Sequence, residues 1–381
     1  MEKRQLGAGG PEVPVICLGG NVYGWTLAEA DAFRQFDAAL DLGLNFIDTA
    51  DVYSRWAPGH KGGESETIIG KWFAKSGRRK DVVLATKVGM DMGDGRKGLK
   101  PAYIRQAVED SLRRLQTDYI DVYQAHQDDE ETPLAETLGT FDELVKQGKV
   151  RYIGASNYSG ARLAEALETS RKNGLASYIS LQPHYNLVER EQFESELLPV
   201  VLKYELGVIP YFSLAAGFLS GKYRSKQDTE KAARGAMVQK YAMVQKYLND
   251  WGFGVTAALN EVAEARGSTP ARVALAWLIA QPGITAPIAS ATNDKQLNDL
   301  AEAAKLKLDR ESIEKLQKAV GVKTPLCVAV GEVAAAVREE AERHNSDLII
   351  IGRGLLHETL GRLRTHSHGI IRQAPCPVLS V

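Results

Sequence analysis

VVLATK at 82–87, PAYIRQAVEDSLRRLQ at 101–116 and YIDVYQ at 119–124 make one strand–helix–strand unit. The flanking runs are short, apolar and β-branched, while the segment between them has helical period and opens on Pro101, which suits a first helical position. Similar runs recur on both sides: VICLG at 15–19, NFIDT at 45–49, YIGAS at 152–156, YISLQ at 178–182, VIPYF at 208–212 and TAPIAS at 285–290. Their starts lie 26 to 37 residues apart as far as the seventh run. AEADAFRQFDAALDLG, ending at Gly43, and PLAETLGTFDELVKQG, ending at Gly148, read as helices closed by glycine. Such alternation calls for parallel βαβ units, and eight of them close a (β/α)8 barrel. An open doubly wound sheet is the rival, but it usually carries a glycine-rich phosphate loop after its first strand. Neither GxGxxG nor GxxxxGKS/T occurs, and the early cluster Gly7–Gly10 precedes the first apolar strand, where it suits a hairpin turn. The expected architecture is α/β: a barrel with an N-terminal hairpin over 1–320, then a small βαβαβ segment over 321–381.

Composition narrows the function. The chain has 381 residues, 44% hydrophobic and 25% charged, as expected of an ordinary globular protein. No run approaches the roughly 18 apolar residues of a membrane span, and the start MEKRQLGAGGPEV has no apolar core of a secretory signal. Lys plus Arg number 47 against 48 Asp plus Glu, so no global basic field is available for nucleic acid or anionic lipid. The three cysteines, Cys17, Cys327 and Cys376, include no CxxC pair, which argues against a disulfide framework or cysteine-rich zinc site and for a reducing cytoplasm. Between the seventh and eighth runs AMVQKY occurs twice in tandem, at 236–241 and 242–247, and reads as a duplication in a surface segment.

Chemistry in such barrels collects at the C-terminal ends of the strands. Those ends carry Asp48 with Tyr53 just beyond, Lys87, His126, Ser156 with Asn157, Gln182, Ser213 and Ser290. Singly, each has a bland structural reading; together they converge on one rim. A lysine ammonium beside a tyrosine favours the phenolate and is expected to lower the phenol pKa by roughly 1–3 units from near 10. A carboxylate such as Asp48 aims the lysine, and a histidine places a carbonyl oxygen beside the phenol. This is a carbonyl-reducing set that lacks only a hydride source.

The motifs GLNFIDTADVYS (43–54), LATKVG (84–89), YIDVYQAHQDD (119–129), GKVRYIGASNY (148–158), LQPHYNLVER (181–190), PYFSLAAGFLSGKY (210–223) and PIASATNDKQL (287–297) closely resemble the aldo-keto reductase superfamily, over about residues 3–319. The resemblance implies a catalytic tetrad of Asp48, Tyr53, Lys87 and His126, with Tyr53 as general acid, reducing aldehydes or ketones to alcohols. It implies a nicotinamide cofactor on the barrel rim: Ser156, Asn157 and Gln182 at the carboxamide, Tyr211 stacked on the ring, and 213–222 along the pyrophosphate. Within that stretch Ser213, Leu214, Gly217, Leu219, Gly221 and Lys222 are the contacts, and Ser290, Thr292 and Gln296 hold the adenosine end. NADPH is the expected cofactor and NADH the alternative, because Thr292 stands where the family often has an arginine for the 2′-phosphate, with Lys295 the nearby cation. Trp25 and Trp56, with His60 beside them, are expected at the substrate pocket. No metal is expected, and the partner is a small-molecule carbonyl compound. The alternative is a cofactor-binding, redox-sensing subunit with little turnover.

The tail from Gly321 reads strand–helix–strand–helix–strand and resembles the C-terminal half of a universal stress protein domain, chiefly in SDLIIIGRG and IIRQAPCPVLSV. ATP is not expected there, since Gly352 is followed by Leu355 where that family's phosphate loop requires a second glycine. His357, His366 and His368 with Cys376 do not make a metal set, because the two histidines of HSH on a helix point about 200° apart. Arg353, Arg362, Arg364 and Arg372 read as a solvated face. Unpaired strand edges offer a route to homo-oligomers through the tail.

Overall fold

The computed structural model describes residues 1–221, 245–321, 333–343, 349–351 and 369–380. Lys222, most of the AMVQKY duplication, the first tail strand, the 352–355 glycine pattern and His357, His366 and His368 lie outside the described residues. The chain divides into two compact units, Met1–Lys323 and Thr324–Val381.

In the first unit β1 (Lys3–Gln5) and β2 (Glu12–Pro14) pair antiparallel as a hairpin, its turn running through Gly7 and Gly9 at positive φ. Eight parallel strands follow: β3 (Cys17–Gly19), β4 (Phe46–Asp48), β5 (Val83–Val88), β6 (Ile120–Ala125), β7 (Val150–Ser156), β8 (Tyr178–Gln182), β9 (Gly207–Val208) and β10 (Ile288–Ala289). They lie side by side in the order β10–β3–β4–β5–β6–β7–β8–β9. The sheet curls back on itself, because Val208 bridges Ile284 and Ile288 N donates to the Pro210 carbonyl at 2.9 Å. β9 and β10 are shorter than the apolar runs that announce them. Pro210 and Pro287 have no N–H to give the ladder, so pairing there falls to isolated bonds.

Helices cover the outside. α1 (Glu29–Asp41) ends beside Gly43 in the left-handed region, and α3 (Pro101–Leu115) opens on its N1 proline. α2 (Glu64–Ser76) and α4 (Leu134–Lys146) complete that side, with α5 (Gly160–Asn173) following. Phe36, Trp72, Tyr123, Phe141 and Trp277 fill the layer between helices and strands. Each such side chain contributes roughly 1.5–3 kcal/mol on burial.

Inside the sheet the two-residue period of the strands sorts side chains into layers. Cys17, Phe46, Ala85, Val122, Ile209 and Ala286 form an apolar layer, closed below by Leu6 and Val13 of the hairpin. Two residues further along β4, β5 and β6 the inward positions become Asp48, Lys87 and Gln124, and Gln182 of β8 joins them through Asp48. The polar layer therefore sits on an apolar floor at the C-terminal ends of the strands.

In the second unit a helix (Val333–Arg343) precedes β11 (Ile349–Ile351), which pairs parallel with β12 (Val378–Ser380). Among the described residues no helix is long and apolar enough to cross a membrane.

Candidate active site

Strand register assembles the centre. Lys87 on β5 lies opposite Gln124 on β6, Gln124 opposite Gly154 on β7, and Ser156 opposite Gln182 on β8. Gly154 is required where it stands, because a Cβ there would meet Ser180 Oγ at 2.5 Å and press on Gln124 Cγ at 3.2 Å. Lys87 is completely buried, and its ammonium donates to Asp48 Oδ2 at 2.7 Å, the Thr49 carbonyl at 2.8 Å and Tyr53 Oη at 2.8 Å. Three donors meet three acceptors, the condition under which a buried ammonium is tolerated. Asp48 Oδ1 accepts from Gln124 Nε2 at 3.1 Å and Gln182 Nε2 at 2.9 Å, and its Oδ2 also accepts from the Tyr53 hydroxyl at 3.3 Å.

Electrostatics depart from the sequence expectation at Tyr53. Its phenol is held well above the ordinary value, first by burial and then by the Asp48 carboxylate, rather than lowered by Lys87. The lysine charge is partly offset by Asp48, and burial outweighs what remains. Burial also lowers Lys87, against the pull of Asp48. His126 is driven well below its ordinary value by burial and then by Lys87, so its imidazole is neutral near pH 7. Its Nδ1 is buried and meets no partner, and its ring lies 6.0 Å from that of Tyr53. Ser54, the next residue, has φ of 72° and is pinned by its hydroxyl to the Tyr23 carbonyl at 2.8 Å. That left-handed step costs of order 1–3 kcal/mol and turns the tyrosine inward.

A second group surrounds this centre. Asn157, at φ 56°, donates to the His126 carbonyl at 2.8 Å and to Ser156 Oγ at 3.1 Å, and its Oδ1 accepts from the Tyr211 hydroxyl at 2.8 Å. Ser156 Oγ donates to the Gln182 carbonyl at 2.8 Å. His184 stacks on Tyr211 with centroids 5.3 Å apart and planes within 15°. Ser213 Oγ is tied to the Pro210 carbonyl, Leu214 precedes a run of positive φ at Ala215, Ala216 and Gly217, Leu219 is buried, and Gly221 lies against Pro270. Farther along the rim, Ser290 Oγ donates to Asn21 Oδ1 at 2.5 Å, while Thr292 donates to Gln296 Oε1 through N at 2.8 Å and Oγ1 at 3.0 Å. Lys295 is exposed beside them.

Trp25 and Trp56 meet edge to face at 5.6 Å, and Trp56, 44% exposed, lies 5.9 Å from the Tyr53 ring. His60 is tied back to the Ser54 carbonyl through Nδ1 at 3.2 Å. Among the described residues no cluster of three or more His, Cys, Asp and Glu could hold a metal. Sequence reasoning missed Gln124 and His184. Gln124 was findable, since it sits on β6 one inward step before His126, which follows that strand. His184 carried no signal until its stack on Tyr211 was visible.

The Aldo/keto reductase family model matches residues 15–320. The chain is 39% identical to the uncharacterized oxidoreductase YrpG of Bacillus subtilis, over 83% of this chain and 95% of that one. It is 32% identical to the aldo-keto reductase AMT2 of Alternaria alternata, over 82% and 90%. It is also 31% identical to a probable voltage-gated potassium channel subunit beta of Oryza sativa, over 84% and 97%. The chain thus belongs to the aldo/keto reductase family, as an NAD(P)H-dependent oxidoreductase that reduces aldehydes or ketones to alcohols.

Proposed function

We propose that Tyr53 is the proton donor of this reduction, with His126 placing the carbonyl oxygen, Lys87 stabilising the phenolate left behind and Asp48 holding the lysine. The observation that carries it is the Tyr53 hydroxyl, which receives the Lys87 ammonium at 2.8 Å and faces Asp48 at 3.3 Å. A nicotinamide cofactor held by the rim residues named below would supply the hydride for the carbonyl carbon. Tyr53 keeps its proton beforehand, since burial and Asp48 raise its pKa. As charge develops on the carbonyl oxygen, that oxygen becomes the stronger base and takes the proton. The ammonium then stands beside a full phenolate. Neutral His126 offers a hydrogen bond without competing for the proton. Tyr53→Phe is the test: cofactor binding stays near wild type, and kcat for an aldehyde falls roughly 10²–10⁴-fold. Undiminished turnover in that variant removes the assignment.

The second group of residues fits a nicotinamide dinucleotide. Tyr211 has its hydroxyl fixed by Asn157 and one ring flank covered by His184, which supports the ring stacking on the other. The amide nitrogen of Gln182 is engaged by Asp48, which leaves its Oε1, with Ser156 and Asn157, for the carboxamide. Leu214 followed by left-handed Ala215 is the alternation that forms an anion-binding concavity, which supports a pyrophosphate along 213–221, although the N–H groups of Ala215 and Gly217 are donated to the Phe212 and Leu214 carbonyls. Lys222 extends that reading to a residue outside the described ones. Ser290, Thr292, Gln296 and exposed Lys295 favour NADPH over NADH modestly. Trp25 and Trp56 form an aromatic wall for carbonyl compounds with an apolar or sugar face.

The division into a barrel over 1–320 and a universal-stress-protein-like segment over 321–381 belongs to this reading, as do a cytoplasmic place and association through the tail. The parallel pairing of 349–351 with 378–380 supports an α/β tail. A regulatory role with little turnover is favoured by the similarity to potassium channel beta subunits such as that of rice. Negligible turnover of the wild type on a broad carbonyl panel would establish it.

A further inference from the structure

Three residues beyond Asp48 and two before Tyr53, Asp51 is 2% exposed, and no side chain donates to either of its carboxyl oxygens; the backbone N–H of Val52 alone pulls on the carboxyl, too weakly aligned to satisfy it. Its backbone N–H points to the Lys87 carbonyl at 3.4 Å. The groups that face it are Glu66 of α2, Lys87 of β5, Arg114 and Tyr103 of α3, and Tyr123 of β6. None serves as its counter-ion. Arg114 Nε and the Thr86 hydroxyl donate to Glu66, at 2.7 and 2.6 Å, and the donors of Lys87 are all engaged elsewhere. The Tyr123 hydroxyl is itself buried and unpartnered. Burial, then the Glu66 carboxylate, pushes the Asp51 carboxyl up to about 8, against the pull of Arg114. The loop that carries it packs through Ala50 and Val52 on Met92, with Tyr53 and Met90 against that cluster.

We propose that Asp51, in its uncharged form, is the positioning residue that keeps the 50–57 loop closed and so holds Tyr53 on Lys87, and that its ionisation loosens this loop. A second anion beside Glu66, in a dry place with one guanidinium between them, must gain water or move. The chain nearest to give is the segment bearing Tyr53. The inference rests on Tyr53 as proton donor.

The sign follows from linkage. A carboxyl raised on folding gives stability that is complete below its unfolded value near 4 and is lost as pH rises toward about 8. The test is kcat for an aromatic aldehyde at saturating NADPH, with parallel thermal melts, from pH 4.5 to 9.5 on the full chain. Wild type should lose about tenfold in kcat between pH 7 and 9, as one group titrating near 8 implies. Asp51→Asn should stay within about twofold of wild type at pH 6.5, lack most of that alkaline fall, and melt increasingly above wild type as pH rises from 4.5 to 8. Glu66→Gln, which removes the neighbouring anion, should move the wild-type fall to lower pH. The same alkaline fall in Asp51→Asn, or no displacement in Glu66→Gln, overturns the proposal. So does a tenfold loss in Asp51→Asn already at pH 6.5. Tyr53→Phe separates the two readings: if it stays active, the donor assignment fails, and the melting comparison alone still decides whether Asp51 ionisation loosens the fold.

Discussion

Asp48 and Asp51 are three residues apart and both buried, yet their surroundings are opposite. Asp48 receives Lys87, Tyr53, Gln124 and Gln182 on its two oxygens. Asp51 receives no side chain at all. Asp48 closes β4 and Asp51 lies three residues beyond it, so the difference lies in what the neighbouring elements present. Asp48 points into the sheet, where the inward positions of β5, β6 and β8 are polar. Asp51 lies against the helix side, where Glu66 has already taken Arg114. A carboxyl group of one type thus serves as a fixed anion in one place and an uncharged filler a few residues on, with solvation and partners deciding which.

Lys87→Met should strain this contrast most. It strips the ammonium from Asp48 and from the Tyr53 oxygen together, so kcat should fall roughly 10²–10⁴-fold. A buried carboxylate left without its partner also costs about 3–5 kcal/mol, read by denaturant unfolding. Retained stability would mean that Asp48 can stand without its lysine, as Asp51 stands without a side-chain donor. Gln124→Leu sharpens the comparison at a smaller scale. It removes one of the two donors to Asp48 Oδ1, and stability should drop by about 1–3 kcal/mol, with a kcat loss well short of that in Lys87→Met. Thr292→Arg acts far from both carboxylates. It should tighten NADPH by about tenfold in a fluorescence titration and leave NADH unchanged, as one added charge-assisted contact to a phosphate implies. Equal effects on both cofactors would exclude a 2′-phosphate contact there. Least of all, a chain ending at Val320 should keep wild-type kcat/KM, since every candidate site residue precedes position 297, and should lose any oligomer seen by light scattering. Lost activity in a folded barrel would place the tail in the chemistry.

The eight strands and their polar ends were legible because barrel strands are written as short buried β-branched runs, with Gly43, Gly148 and Pro101 marking the helix ends between them. Asp48, Lys87, Tyr53 and His126 were legible as a set because each closes a strand or follows one. What the sequence hid is what depends on partners. Nothing in TADVYS distinguishes the satisfied Asp48 from the bare Asp51. The direction of the Tyr53 shift was misread for the same reason, since a lysine in a sequence shows its charge and not the carboxylate that offsets it. Gln124 reads as one more residue of a strand until Gly154 is seen making room for it.

The bonds from Thr285 and Ile288 back to Val208 and Pro210 have one more consequence. They fix the two ends of the chain between the seventh and eighth strands as neighbours, whatever number of residues lies between. Extra length there adds loop entropy that grows only as a logarithm, about 0.6 kcal/mol for each doubling. The barrel therefore has a seam at which the gene can lengthen or shorten with the register of all eight strands untouched. The repeated AMVQKY falls in that interval.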